Sequence, residues 1–63
     1  MNEYNKQATL PDNMRAWRSR RSLSQSGAAK FLGMPLISYQ NWEQGKRKPT
    51  GFVIEALTKI LKR

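Results

Sequence analysis

Sixty-three residues allow one small domain whose core must draw on nearly every apolar side chain, and they leave no room for a catalytic cleft of ordinary size. There is no cysteine and no histidine, and the four carboxylates (Glu3, Asp12, Glu43, Glu55) are scattered, so no enzyme activity, metal site or cofactor is expected. Twelve Lys/Arg against four Asp/Glu give a net charge of +8 and a pI near 10.7, which implies an anionic partner, nucleic acid foremost.

No run approaches the ~18 apolar residues of a spanning helix, and the N-terminal residues lack the apolar region of a secretory signal. A cytoplasmic, nucleoid-associated protein without membrane contact is the expectation. Residues 1–8 are polar and without period, and read as a flexible N-terminal arm ahead of a domain over 9–63. Thr9-Leu10-Pro11-Asp12 has the composition of a helix start: a capping hydroxyl, a proline where its missing N–H does no harm, and an acid at the positive end of the dipole. The helix should run to about Arg20, with Leu10, Met14 and Trp17 spaced four and three apart as a core stripe. Arg15, Arg18, Arg20 and Arg21 lie in a region that no acid interrupts between Asp12 and Glu43, and most of them are candidates for phosphate contact.

Ser24 is a good N-cap for a second helix ending near Leu32. Gln25, in its first turn, is placed to reach a phosphate together with free backbone N–H groups. Ala28, Ala29, Phe31 and Leu32 supply the apolar surface, with the alanines permitting close approach of another helix. Gly27 costs roughly 1 kcal/mol in a helix interior and is expected to leave room for a neighbouring backbone or for DNA. Gly33 suits the left-handed position after a helix C-terminus.

The third helix spans Pro35–Gln44 and stops at Gly45. At about 100° per residue, Leu36, Ile37, Gln40, Asn41 and Gln44 fall within about 140° of arc, opposite Pro35, Ser38, Tyr39 and Trp42. The two aromatics belong to the core, so the first arc faces out. It carries amides of the kind that pair with adenine and apolar side chains that can meet thymine methyls. Lys46, Arg47 and Lys48 follow as a basic loop beside this helix, where phosphates would lie. Thr50 is expected to cap a fourth helix whose Val53, Ala56, Leu57, Ile60 and Leu61 form a core-facing stripe. Two short helices around a glycine turn in a very basic chain are what a helix-turn-helix DNA reader requires.

The ordered set Met14, Trp17-Arg18, Leu23-Ser24-Gln25, Ala29, Leu32-Gly33, Tyr39 and Trp42-Glu43-Gln44-Gly45-Lys46-Arg47, with Pro49 beyond, resembles the Cro/C1-type (Xre-like) helix-turn-helix family. It looks most similar to the small antitoxin-type and YiaG-like regulators. The resemblance covers about residues 10–61. It implies an all-α, compact four-helix bundle with a central helix-turn-helix, of the lambda-repressor-like kind. It further implies a transcriptional regulator, a repressor binding a palindromic double-stranded DNA operator as a homodimer. By that resemblance Leu36, Ile37 and Asn41, with Gln40 alongside, read bases, and Gln25 contacts the backbone or a base; from their charge and position Lys46, Arg47, Lys48 and some of Arg15, Arg20 and Arg21 are expected to contact the DNA backbone. Arg18 and Glu43 match a pair that forms a structural salt bridge in the family. Three departures from the family pattern stand out. Pro35 replaces the usual Ser or Thr cap, which shifts the expected helix start by a residue; Leu36 and Ile37 replace polar reading residues; and four helices stand where many relatives have five. The same residues leave two alternatives open: an antitoxin-type interaction module that binds a toxin, and a cationic chain that binds RNA or membrane surfaces without sequence preference.

Overall fold

The computed structural model describes residues 4, 5 and 7–62, and among them the fold is all-α: α1 (Leu10–Arg20), α2 (Gln25–Leu32), α3 (Leu36–Glu43) and α4 (Phe52–Leu61). Thr9 caps α1 by accepting the Asp12 N–H at 3.3 Å, and Pro11 stands in the first turn. Ser24 caps α2 by accepting the Gly27 N–H at 3.0 Å. A Cβ on Gly27 would come within 3.3 Å of Ser24 Oγ and 3.4 Å of Leu23 Cδ2. The space at Gly27 therefore belongs to the side chains of its own cap, not to another backbone. Gly33 ends α2 with φ 69° and ψ 36°, a left-handed conformation that lets the chain reverse into α3 within three residues.

α3 is one residue shorter at each end than the spacing suggests, since Pro35 takes the N-cap position and offers no capping side chain, and Gln44 takes the C-cap. The fourth helix corrects the expectation at Thr50. Gly51, with φ 60° and ψ −142°, is the N-cap, no side chain caps the helix, and Thr50 contributes its carbonyl to the Val53 N–H at 3.2 Å. Only glycine enters that backbone region without strain, so the turn into α4 is set by Gly51 and the threonine is displaced outward.

α3 packs on α1 and α2, and α1 also packs on α4. The core consists of Met14 and Trp17 from α1, Ala28 and Ala29 from α2, Tyr39 from α3, and Leu57 and Leu61 from α4. The two alanines admit α3 closely against α2. Phe31, at the edge, meets Trp17 edge-on at 5.5 Å between ring centroids. The expected α4 stripe is only partly core: Leu57 and Leu61 are buried and Ile60 half-buried, while Val53 and Ala56 face out. Three helices of eight to eleven residues cannot cover the full width of the fourth.

The expected arm lies partly on residues 1–3 and 6, which are outside the described residues. Asn5 is tied down: its N–H donates to Asn13 Oδ1 and its carbonyl accepts from Asn13 Nδ2, both at 2.8 Å. Tyr4 packs on the core with Lys62 Nζ 5.5 Å from its ring centroid. Asn13 is buried in α1, and this reciprocal pair satisfies its amide. No described helix is long and apolar enough to cross a membrane.

Candidate nucleic-acid interface

Glu43, at the end of α3, is 2% exposed and surrounded by donors. Its Oε2 accepts from Arg18 Nε at 2.8 Å and from the Tyr39 hydroxyl at 2.6 Å. Its Oε1 accepts from Arg18 Nη2 at 3.0 Å and from Gln25 Nε2 at 2.9 Å. A carboxylate has about four lone-pair sites, and all are occupied. Burial works against the charge, but the hydrogen bonds from Arg18, Tyr39 and Gln25 outweigh it and hold the Glu43 carboxyl below the usual carboxylate range. The hydrogen bond to Glu43 in turn raises the Arg18 guanidinium. Burial, then the hydrogen bond to Glu43, push the Tyr39 phenol well above its ordinary value. The forked Arg18–Glu43 pair is the scaffold that joins α1 to the last turn of α3.

This clamp extends to the outer surface. Gln25, which donates to Glu43, also accepts from Gln40 Nε2 at 3.1 Å, so a line of amides runs from the buried carboxylate to the exposed side of α3. Gln25 keeps one N–H free, and Gln40 keeps one N–H and its Oε1. Beside them Leu36 is 41% and Ile37 66% exposed, and Asn41 is half-buried. The basic loop is registered on the same helix, because the Asn41 carbonyl accepts the N–H groups of both Lys46 and Arg47, at 2.9 and 3.3 Å. Lys46, Arg47 and Lys48 are exposed and form no ion pair among the described residues. One outer face thus brings together Gln25, Leu36, Ile37, Gln40 and Asn41, while Arg47 and Lys48 of the adjoining loop line a pocket with Thr9, Leu10, Pro11, Trp42 and Ile54.

The α1 arginines divide differently. Arg15 donates to the Glu43 carbonyl and to Asp12, both at 2.6 Å. Arg20 donates to the Leu61 carbonyl at 2.8 Å, and Arg18 Nη1 reaches the Leu23 carbonyl at 3.2 Å. Arg21 is exposed, with its guanidinium 5.6 Å from the Trp17 ring centroid and 5.3 Å from that of Phe31. The partners that the sequence does not reveal are the free carbonyls at the ends of α3 and α4, which carry partial negative charge. Arg15 and Arg20 serve as clips on those ends. The Asn5–Asn13 lock also escapes sequence reading, because asparagine beside an apolar stripe has no spacing of its own.

No curated protein and no solved structure matches the chain. The model of the helix-turn-helix domain family matches residues 12–63. With α2, the left-handed Gly33 turn and α3 seated on α1 through the Arg18–Glu43 pair, the chain belongs to the helix-turn-helix domain family.

Proposed function

We propose that this protein is a sequence-specific double-stranded DNA-binding transcriptional regulator of the Cro/C1-type (Xre-like) kind, acting in the cytoplasm on the nucleoid. α3 enters the major groove, and the protein represses by occupying a palindromic operator as a homodimer. The observation that supports this reading best is the outer face of α3. Two aliphatic side chains without a protein partner, Leu36 and Ile37, lie next to two amides, on a helix held in place by a buried, fully satisfied carboxylate. A solvated helix surface has no use for a 66% exposed isoleucine, whereas thymine methyls do.

In this reading Leu36, Ile37, Gln40 and Asn41 meet base edges. Gln25, at the N-terminus of α2, meets a phosphate with its remaining N–H and the free backbone donors of that turn. Lys46, Arg47 and Lys48 neutralise phosphates beside the groove, and Arg21 adds to the field. Arg15 and Arg20 are assigned to the scaffold because their guanidinium groups are engaged at helix ends.

Selection of bound sequences from a random DNA pool tests the proposal. A recovered pair of half-sites about one helical turn apart is expected. Recovery of no consensus, or binding to random RNA or anionic vesicles as tight as to DNA, would overturn it. Asn41→Ala is expected to lose about 1–3 kcal/mol of discrimination against the wrong base while leaving random-sequence affinity in place. An apolar helix face left over after the core is filled, which would favour a protein-interaction module such as an antitoxin, is also present, on α4.

A further inference from the structure

Between the first turn of α1 and the loop that follows α3 lies a cavity of about 590 Å³, within the size range of small-molecule sites. Its walls are apolar: Leu10 and Pro11 from α1, Trp42 from α3, Pro49 from the loop and Ile54 from α4. Arg47 and Lys48 complete the lining, and no carboxylate is among the described residues that form it. An apolar chamber edged by two cations matches an amphipathic anion, whose body meets the walls and whose one negative group meets the cations. We propose that this cavity binds a small aromatic carboxylate, and that the bound ligand competes with DNA for Arg47 and Lys48.

Local backbone geometry builds the site. Gly45, with φ 78°, turns the chain at the end of α3 and lays it against α1, where a Cβ at this position would stand 3.8 Å from Pro11 Cγ. The Asn41 carbonyl holds the N–H groups of Lys46 and Arg47, which ties the loop to α3 while the Arg47 side chain lines the cavity. Neither cation has a carboxylate partner among the described residues. The three acids adjacent in sequence to the lining, Asp12, Glu43 and Glu55, lie outside it, the first two paired with Arg15 and Arg18. Thr9, also in the lining, accepts the Asp12 N–H at its Oγ1 and has its O–H left to donate, which suits an oxygen of the ligand. The indole of Trp42 and the rings of Pro11 and Pro49 are rigid surfaces, and a planar body loses less freedom against them than a flexible chain would.

A carboxylate seated against Arg47 and Lys48 neutralises charges that the operator reading assigns to phosphates. Ligand and DNA therefore lower each other's affinity by the same factor. Withdrawal of two cations from phosphate contact lowers the salt slope of DNA binding by up to about two. In this coupling, though not in the binding itself, the inference rests on the DNA reading above.

The test is isothermal titration calorimetry of the full chain without DNA, with naphthalene-2-carboxylate as the probe. Saturable binding with a Kd of about 1 mM or tighter is expected for a molecule of its size. Naphthalene-2-methanol, the same body without the charge, should bind at least about tenfold more weakly, and so should the carboxylate to the double variant Arg47→Gln, Lys48→Gln. Ile54→Glu places an acid in the lining, at a helix first turn that tolerates one, and should abolish binding with an unchanged circular dichroism spectrum. Lys30→Gln removes a cation from α2, outside the lining, and should leave binding as it is. In a second measurement, saturating probe should weaken the binding of a DNA duplex by at least about tenfold and flatten its salt dependence. No saturable binding at millimolar probe, equal binding of the alcohol, a double variant that binds as wild type does, or a DNA affinity that the bound probe leaves unchanged would overturn the proposal. A chain that binds the probe but no DNA would overturn the operator reading and the competition with it, and leave the carboxylate site standing.

Discussion

A carboxylate at 2% exposure survives in ionised form only because each lone pair has a donor, and this makes Glu43 the residue whose protonation the fold feels most. Its native pKa lies below that of an unfolded glutamate, near 4.3, so in the window between the two the unfolded chain binds more protons and stability rises with pH. The contribution is complete above about pH 4.3 and is lost as pH falls through the native value. Denaturant titrations at a series of acidic pH values should show this decline in the wild type and a flatter one in Glu43→Gln. At neutral pH Glu43→Ala leaves a partly buried guanidinium without its partner, at a cost of roughly 3–5 kcal/mol. A chain of this length has only about 3–9 kcal/mol in total, and far-UV circular dichroism at 37 °C should show the variant largely unfolded. Gln40 behaves otherwise. Its amide donates to Gln25 and not to the carboxylate, at the open end of the same network, so Gln40→Ala should change DNA discrimination with less than about 1 kcal/mol of effect on stability.

Each helix end has its own solution, and the solutions differ in what a substitution does. Thr9 and Ser24 cap through hydroxyls, so alanine at either costs about 1 kcal/mol. Gly33 and Gly51 act through backbone conformation alone, since a Cβ at either would meet nothing within 4 Å. Gly33 occupies the left-handed well that other residues visit at a cost of about 1 kcal/mol, whereas Gly51 lies near the region that only glycine populates, at a cost of up to about 3 kcal/mol. Gly51→Ala should therefore lower the midpoint of chemical denaturation more than Gly33→Ala does. The α1 arginines form a third class. Because Arg15 and Arg20 bind carbonyls at the ends of α3 and α4, cation and helix dipole are matched within the molecule, and the net charge overstates what is available to a partner.

For the whole molecule this division of cations is measurable as the dependence of DNA affinity on salt. Each phosphate neutralised contributes close to one to the slope of log affinity against log salt concentration. Lys48→Ala should reduce that slope by about one, and Arg47→Ala likewise. Arg20→Ala should leave the slope unchanged and lower the melting temperature instead, since the Leu61 carbonyl loses its donor. A slope change on Arg20→Ala with no loss of stability would return that residue to the DNA surface.

The elements and the outward arc of α3 were legible in the sequence because they rest on local signals. Capping hydroxyls at 9 and 24, the glycine at 33, and aromatics three residues apart at 39 and 42 each act within a turn or two of chain. Periodicity places Leu36 and Ile37 outside as soon as Tyr39 and Trp42 are assigned inside. The sequence alone also determined the strong basicity and the lack of cysteine and histidine. Only the tertiary structure decided which cations are engaged across the fold, because the Glu43 and Leu61 carbonyls that bind Arg15 and Arg20 are backbone groups that every residue possesses and no composition reveals. It likewise decided how much of the α4 stripe the core takes up. An amphipathic pattern records that a face is apolar, but whether Leu57 is covered and Ala56 is not depends on the reach of the other three helices. That leftover face, with Phe52 projecting beside it, exists because the other three described helices are too short to enclose α4.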